Sequence, residues 1–143
     1  MDAQQLIELT TTTWNDRDRA GYHAAYHEDC EVTAPGFVGK GQLGVTEFWS
    51  CFMDAFPDNR VRLVHAVGGG SDIGAEESVF EGTHTGVLIS SDGSEIPPTG
   101  RRVSAGFAAV HTARDGKLVS SHLYYDMLDF LTQLGVLAEP TAS

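Results

Sequence analysis

The spacing of apolar residues in the first half of the chain predicts three helices. The first carries its apolar face at three- and four-residue intervals, at Leu6, Ile7, Thr10, Thr13 and Trp14. Asp18 can cap a second, shorter helix that carries Tyr22 and Tyr26 one turn apart. A short alternating strand follows, and after Gly44 a third helix shows an aromatic stripe of Phe48, Phe52 and Phe56.

The second half shows the alternation that is typical of strands. Val61, Leu63, His65 and Val67 alternate with their neighbours, and a long strand runs from Ile73 to His84 and on past Gly86. Residues 101–112 and 117–125 form a hairpin, and residues 127–134 form a short final helix. Helices followed by meandering strands predict an α+β fold, a curved antiparallel sheet with helices on one face. Such a cone leaves a cavity at its open end.

Length and charge narrow the class of protein. The 143 residues predict a single domain at 1–138 and a flexible tail at 139–143. A net charge of −11 argues against nucleic acid and against anionic membranes as partners. No apolar run approaches the length of a membrane span, and the N-terminal residues lack the pattern of a signal peptide, so we expect a cytoplasmic protein.

The register of the last hairpin decides which side chains face the cavity. A three-residue turn at 114–116 places Phe107, Ala109 and His111 on one face with Val119, Ser121, Leu123 and Tyr125. A two-residue turn at 115–116 would instead place Phe107 and Ala109 on one face with His122 and Tyr124. We favour the first register because it gathers more apolar groups on one side.

Several polar residues are candidates for acid–base chemistry. One of Glu76 and Glu77 must point inward; the pattern does not say which, and Glu77 is carried forward as the candidate. His65 is either a core residue or a pocket base. Tyr125 can donate a phenolic hydrogen bond from the pocket face.

The remaining polar candidates have a structural interpretation that we favour. Asp126 is expected to cap the last helix, with a catalytic role as the alternative. His84 is expected at a bend of the sheet, with a polar role in the pocket as the alternative, and His111 lies too near the hairpin end to reach the pocket. His23 and His27 are four residues apart without a third ligand, so no metal site is expected.

Five short motifs in order resemble a known family. They are Phe56-Pro57-Asp58, residues 82–86 (GTHTG), residues 97–101 (PPTGR), residues 115–117 (DGK), and Tyr125-Asp126 with residues 133–135 (QLG). The chain resembles SnoaL-like proteins, the polyketide cyclase branch of the nuclear-transport-factor-2-like superfamily. The resemblance implies an apolar, oxygenated substrate of secondary metabolism, no metal or organic cofactor, and a homodimer that pairs through the convex face of the sheet.

Position by position, the resemblance places the family's acid–base Asp at Leu123, its His at Ala109 and its Gln at Phe107. The expected ligand-binding residues are Trp14, Phe37, Phe48, Phe52, Phe107, Ala109, Ser121, Leu123 and Tyr125. Cyclisation, isomerisation or epoxide opening would suit such a pocket. The replacement of the acid by Leu123 keeps two alternatives open, a ligand-binding protein without turnover and an accessory component of a hydroxylation system.

Overall fold

The computed structural model describes residues 1–137, so the predicted tail and the last residue of the predicted domain lie outside the described residues. In chain order its elements are α1 (Ala3–Asn15), α2 (Arg19–Ala24), β1 (Tyr26–Ala34), β2 (Phe37–Lys40), α3 (Gly41–Ala55), β3 (Arg60–Val67), β4 (Ile73–Thr83), β5 (Leu88–Ile89), β6 (Glu95–Ile96), β7 (Arg102–Arg114), β8 (Lys117–Tyr124) and α4 (Met127–Leu134). The α+β class with three helices at the start is confirmed.

Six strands form a curved, unclosed sheet in the order β2-β1-β8-β7-β4-β3. Four of the five strand pairings in this sheet are antiparallel, as predicted, but β1 pairs with β8 in parallel. The expectation of a purely antiparallel sheet was therefore wrong. Almost the whole domain separates β1 from β8 along the chain, so no hairpin forces the two strands to run in opposite directions.

The helices cover one face of this sheet. The apolar face predicted for α1 is buried against β3 and β4, and a capping box between Asp2 and Gln5 fixes the start of the helix. Helix α3 packs on β1 and β2, where Gly44 approaches Gly39 so closely that a Cβ on Gly44 would lie 2.4 Å from the Gly39 carbonyl carbon. Gly44 therefore serves helix–strand packing inside α3, and the helix begins at Gly41 rather than after Gly44, as had been predicted.

Two boundaries differ from the predicted ones. Tyr26 belongs to β1 and not to the second helix, which ends at Ala24. The long strand β4 ends at Thr83, and Gly86 then crosses the end of α3, where a Cβ would lie 1.8 Å from the Asp54 carbonyl oxygen. Only glycine fits that crossing, so the chain leaves the sheet there and forms the separate β5–β6 hairpin.

The β7–β8 hairpin combines the two registers considered above. Its turn has two residues, Asp115 and Gly116, both with positive φ (54° and 72°), as a type I′ turn requires. The pairing then shifts at a bulge at Val119, so that His111 pairs with Ser121. The inward placement of Ala109, His111, Ser121 and Leu123 is confirmed, but that of Val119 was wrong, because Val119 is the bulged residue and Leu118 is buried instead. The expected three-residue turn was also wrong.

Candidate functional site

A cavity lies between the helices and the inner face of the sheet. It leaves a volume of about 90 Å³ open to the centres of water-sized spheres, so it is a narrow cavity closely lined by side chains. Trp14 of α1 and Phe48 and Phe52 of α3 form its roof. Phe107, Ala109 and Leu123 form its floor, and most of the remaining wall is aromatic or aliphatic. The structure thus places these predicted ligand-binding residues around one cavity.

One end of the cavity is polar and buried. Glu76 is 7% exposed and His111 is 4% exposed, and His111 Nε2 lies 2.7 Å from Glu76 Oε2. The Ser78 hydroxyl donates to the other carboxylate oxygen, Oε1, at 2.9 Å. His111 Nδ1 lies 2.7 Å from the hydroxyl of Ser121, which is fully buried behind the wall. Both ring nitrogens of His111 and both oxygens of Glu76 are therefore partnered.

Two buried tyrosines extend this polar end. Tyr22 and Tyr26 line the cavity, and their hydroxyl oxygens lie 3.3 Å apart. Burial raises the pKa of Tyr26 to about 12, against the smaller lowering effects of its hydrogen bonds with Tyr22 and Ser121. Burial likewise raises the pKa of Tyr22 well above its usual range, so both hydroxyls stay protonated.

A second polar group lies at the other end of the cavity. Tyr125 lines the wall there, and burial raises its pKa to about 12. Four rings, those of Phe48, Phe52, Tyr125 and Phe130, line both this cavity and an outer cleft. Phe37, another predicted ligand-binding residue, lies in the outer cleft and packs on Phe48 with ring centroids 6.0 Å apart.

Two predicted acid–base candidates lie outside the cavity, and their assignment to it was wrong. His65 and Glu77 are exposed and face each other as Cα partners on the outer face of the sheet. The pairing of β3 with β4 shifts between Leu63 and His65, so Val64 bulges and turns His65 outward. Glu76, next to Glu77, is the inward residue of the pair.

The remaining candidates have local partners. Asp126 is exposed and caps α4, accepting a hydrogen bond from the Asp129 amide at 3.0 Å. His84 is fully buried against Phe56, outside the cavity wall, and its Nδ1 lies 2.9 Å from the Thr99 hydroxyl. Its Nε2 makes no hydrogen bond of standard geometry, and burial lowers the pKa of His84 despite a weak interaction with the Gly86 backbone.

His111 lines the cavity, although sequence reasoning placed it beyond the pocket. Its position near the hairpin end suggested that it lies beyond the pocket. The structure shows that the start of α1 covers that end of the sheet: a Cβ on Gly74, the strand partner of His111, would lie 2.9 Å from Ala3 Cβ. The local sequence gives no signal of this packing between distant segments.

Residues 1–137 contain no group of three or more His, Cys, Asp or Glu side chains arranged to hold a metal ion. His23 instead contacts the Thr46 hydroxyl and the Arg19 carbonyl. None of the helices within these residues is long and apolar enough to cross a bilayer.

With the cavity described, comparison with known proteins assigns the family. The sequence profile of the SnoaL-like polyketide cyclases matches residues 4–134. The chain belongs to the SnoaL-like polyketide cyclase family. No protein in a set of curated sequences matches it significantly.

Solved structures confirm the nuclear-transport-factor-2-like fold. TsrD from Streptomyces laurentii is 24% identical with a TM-score of 0.80, and the match covers 96% of this chain and 99% of that one. IdmH from Streptomyces antibioticus, a proposed polyketide cyclase, is 25% identical with a TM-score of 0.73 over 92% and 97% of the two chains. A protein of ketosteroid isomerase-like fold from Catenulispora acidiphila is 14% identical with a TM-score of 0.75 over 99% and 100%.

Within this SnoaL-like domain, the polar side chains lie two residues along each strand, at the next inward-facing position, from the positions that the resemblance implied. Ala109 and Leu123, at the expected His and Asp positions, form an apolar floor. His111 and Ser121 occupy the next inward positions on the same two strands, and Glu76 joins them from β4. The domain therefore holds a carboxylate and an imidazole at the cavity, on different positions.

Proposed function

We propose that this protein is an enzyme of secondary metabolism that performs acid–base chemistry on an apolar, oxygenated small molecule such as a polyketide. Cyclisation, isomerisation and epoxide opening all need a proton removed at one atom and delivered at another. Glu76 and His111 are the acid–base groups, and Tyr125 supplies a hydrogen bond to an oxygen at the opposite end of the ligand. Family membership and the aromatic cavity support the substrate class.

The buried Glu76–His111 pair is the observation that carries this proposal. Replacing a buried charged or polar pair by well-packed apolar residues commonly leaves stability unchanged or increases it, because burial strips the two groups of water. A binding protein for apolar molecules has no need of such a pair at its cavity. A carboxylate and an imidazole 2.7 Å apart in an aromatic pocket are the parts from which general acid–base sites are built.

Deuterium exchange at carbon tests the proposal without knowledge of the natural substrate. Purified protein is incubated in D₂O with 2-tetralone or benzoylacetone, and NMR follows exchange at the carbon next to the carbonyl. We expect the wild type to accelerate exchange and Glu76→Gln to lose roughly 100-fold or more of that acceleration. Glu77→Gln, the neighbouring carboxylate on the outer face, is the matched control and should behave as wild type.

The same experiment recognises a protein that binds without turnover. Bound ketone is expected to change the fluorescence of Trp14, which lines the cavity. A probe that changes this fluorescence but shows no accelerated exchange at any pH between about 5 and 9 would establish a binding protein and overturn the proposal.

We also propose that two copies associate through the outer face of the sheet. This face carries small residues on β7, Gly106 and Ala108, beside Val110 (42% exposed) and Tyr124 (60% exposed). Flat apolar patches of this kind favour association. Light scattering should show a dimer that Val110→Asp converts to monomer, whereas Leu43→Asp, an exposed position of α3 on the helical side of the sheet, should leave it intact; a monomeric wild type would refute the proposal.

A further inference from the structure

Three buried hydroxyl groups, in two hydrogen-bonded pairs, lie between the cavity wall and His111. The Tyr22 and Tyr26 hydroxyl oxygens are 3.3 Å apart, and the Ser121 hydroxyl is 2.7 Å from His111 Nδ1. Between these two pairs, Tyr26 and Ser121 make no hydrogen bond of standard geometry, although Ser121 is close enough to lower the pKa of Tyr26, so the relay requires this contact to close when the ligand binds. Hydrogen bonds of a catalytic site often tighten when the ligand binds.

Chemistry fixes the direction of the hydrogen bonds in this chain. Glu76 as a carboxylate only accepts, so His111 Nε2 carries a proton and donates it to Oε2. His111 Nδ1 of the neutral ring must then accept from the Ser121 hydroxyl. Ser121 in turn can accept from Tyr26, and Tyr26 from Tyr22. The Tyr22 oxygen at the cavity wall therefore keeps a free lone pair with which to accept a proton.

We propose that Tyr22, Tyr26 and Ser121 form a proton relay that removes a proton from an acidic hydroxyl of the ligand, a phenol or an enol, and delivers it to His111. The proposal rests on the proposed function in one respect, that the cavity binds an oxygenated ligand. It deepens that function by naming the acidic group of the substrate and the route of its proton.

The relay conserves every proton. The ligand O–H bond breaks and its proton bonds to the Tyr22 oxygen, while the former Tyr22 proton moves to Tyr26. The Tyr26 proton moves to Ser121, and the Ser121 proton moves to His111 Nδ1. At the end all three hydroxyls are again neutral, Tyr22 donates to the ligand oxyanion, and the His111 imidazolium lies against the Glu76 carboxylate. Removal of the proton and stabilisation of the resulting anion are thus one event.

The surroundings favour neutral carriers. The titratable groups that act on this chain are Glu76 from β4, Tyr22 from α2, and Tyr26 and Cys30 from β1. Burial raises the pKa of both tyrosines and of the Cys30 thiol. The helices α1 and α3 contribute side chains to the wall that do not titrate, among them Thr10 and Phe48. A positive charge that forms on His111 is therefore stabilised by one neighbouring carboxylate, that of Glu76.

Substituted naphthols of graded acidity test the relay, because the absorption spectra of naphthol and naphtholate differ. We expect the wild type to bind a naphthol as naphtholate at a pH where the free probe is neutral. The ratio of bound naphtholate to bound naphthol should fall about tenfold or more in Ser121→Ala, since a hydrogen bond to a charged group is lost. Tyr22→Phe should show the same loss, and the ¹⁵N shifts of His111 should show protonation of both nitrogens only where naphtholate forms.

Matched controls lie on the opposite face of the sheet. Ser120→Ala and Tyr124→Phe change the same residue types next to or near the relay positions but outside the cavity, and should bind naphtholate as the wild type does. Thermal unfolding verifies that each variant is folded. If Ser121→Ala fails to fold, Tyr22→Phe, which removes a hydroxyl from the cavity wall, decides the question.

The outcomes separate this proposal from the proposed function. A naphtholate spectrum that persists in both Ser121→Ala and Tyr22→Phe would show direct transfer to Glu76 and overturn the relay. Failure of every naphthol to bind as the anion would also overturn it. Naphtholate binding without deuterium exchange at carbon would support the relay and refute the enzymatic function. Deuterium exchange without naphtholate binding would support the enzymatic function and refute the relay.

Discussion

Replacement of the Glu76–His111 pair by leucine tests whether the pair serves chemistry or stability. Glu76→Leu leaves His111 Nε2–H and the Ser78 hydroxyl without partners at buried positions. Each unpartnered group costs about 1–3 kcal/mol, and burial of the leucine offsets part of that loss. We expect the free energy of unfolding to fall by roughly 2–4 kcal/mol, which lowers Tm by roughly 5–15 °C in a domain of this size.

Replacing His111 alone should lower the free energy of unfolding by at least as much as replacing Glu76 alone. His111→Leu leaves a buried carboxylate uncompensated, a change that typically destabilises by about 3–5 kcal/mol. The double variant Glu76→Leu/His111→Leu removes the carboxylate and the imidazole together. We expect its stability to lie within about 1 kcal/mol of the wild type or above it, far from the sum of the two single losses.

Urea unfolding followed by the fluorescence of the buried Trp14 and Trp49 measures all four proteins. Deuterium exchange is expected to be lost in all three variants. If the double variant is destabilised by the full sum of the single losses, the pair is part of what holds the domain together. The reasoning that assigns it to catalysis would then be refuted.

Two further predictions concern the helix cap and alkaline pH. Asp126→Ala should lower the free energy of unfolding by about 1 kcal/mol through loss of the α4 cap, with deuterium exchange unchanged; lost exchange at an unchanged Tm would instead make Asp126 catalytic. Burial raises the pKa of Tyr26 and Tyr125 to about 12, so the unfolded chain, with tyrosine pKa near about 10, releases these protons first. Stability should therefore be fully present below about pH 10 and decline as pH rises towards about 12; urea midpoints that stay constant over this range would contradict it.

Periodicity was sufficient for the helices, because their apolar faces are set by local spacing. Trp14, at the end of the apolar face of α1, lines the cavity as predicted. Phe48 and Phe52 of the aromatic stripe on α3 line it as well. The cap at Asp126 was equally local, since it depends on a side chain and an amide three residues away. These features need no knowledge of distant segments.

The strands were harder to interpret, because a single bulge reverses the direction of every side chain beyond it. The bulge at Val64 turned His65 outward. The bulge at Val119 compensated for a turn one residue shorter than expected, so Leu123 still faces the cavity. Neither bulge has a glycine or proline to mark it in the sequence. Bulges reflect pairing with a neighbouring strand, which alternation within one strand cannot show.

The polar end of the cavity required tertiary information. Glu76 and His111 are 35 residues apart and meet only because β4 and β7 are neighbours and α1 covers their ends. Sequence reasoning narrowed the carboxylate to one of two adjacent residues, and carried forward the outer one. The resemblance to the family directed attention to Leu123 and Ala109, one inward position away from the residues that carry the polar groups.

The bulge at Val119 has an evolutionary consequence. Side chains of strand β8 alternate between its two faces, with Ser121 and Leu123 on the inner face and Ser120, His122 and Tyr124 on the outer face. A mutation that straightened the strand while keeping the short turn would exchange them, and would bring an imidazole and a phenol to the floor without altering any residue there. Descendants of such a domain could acquire new reactivity by a slip of the backbone alone.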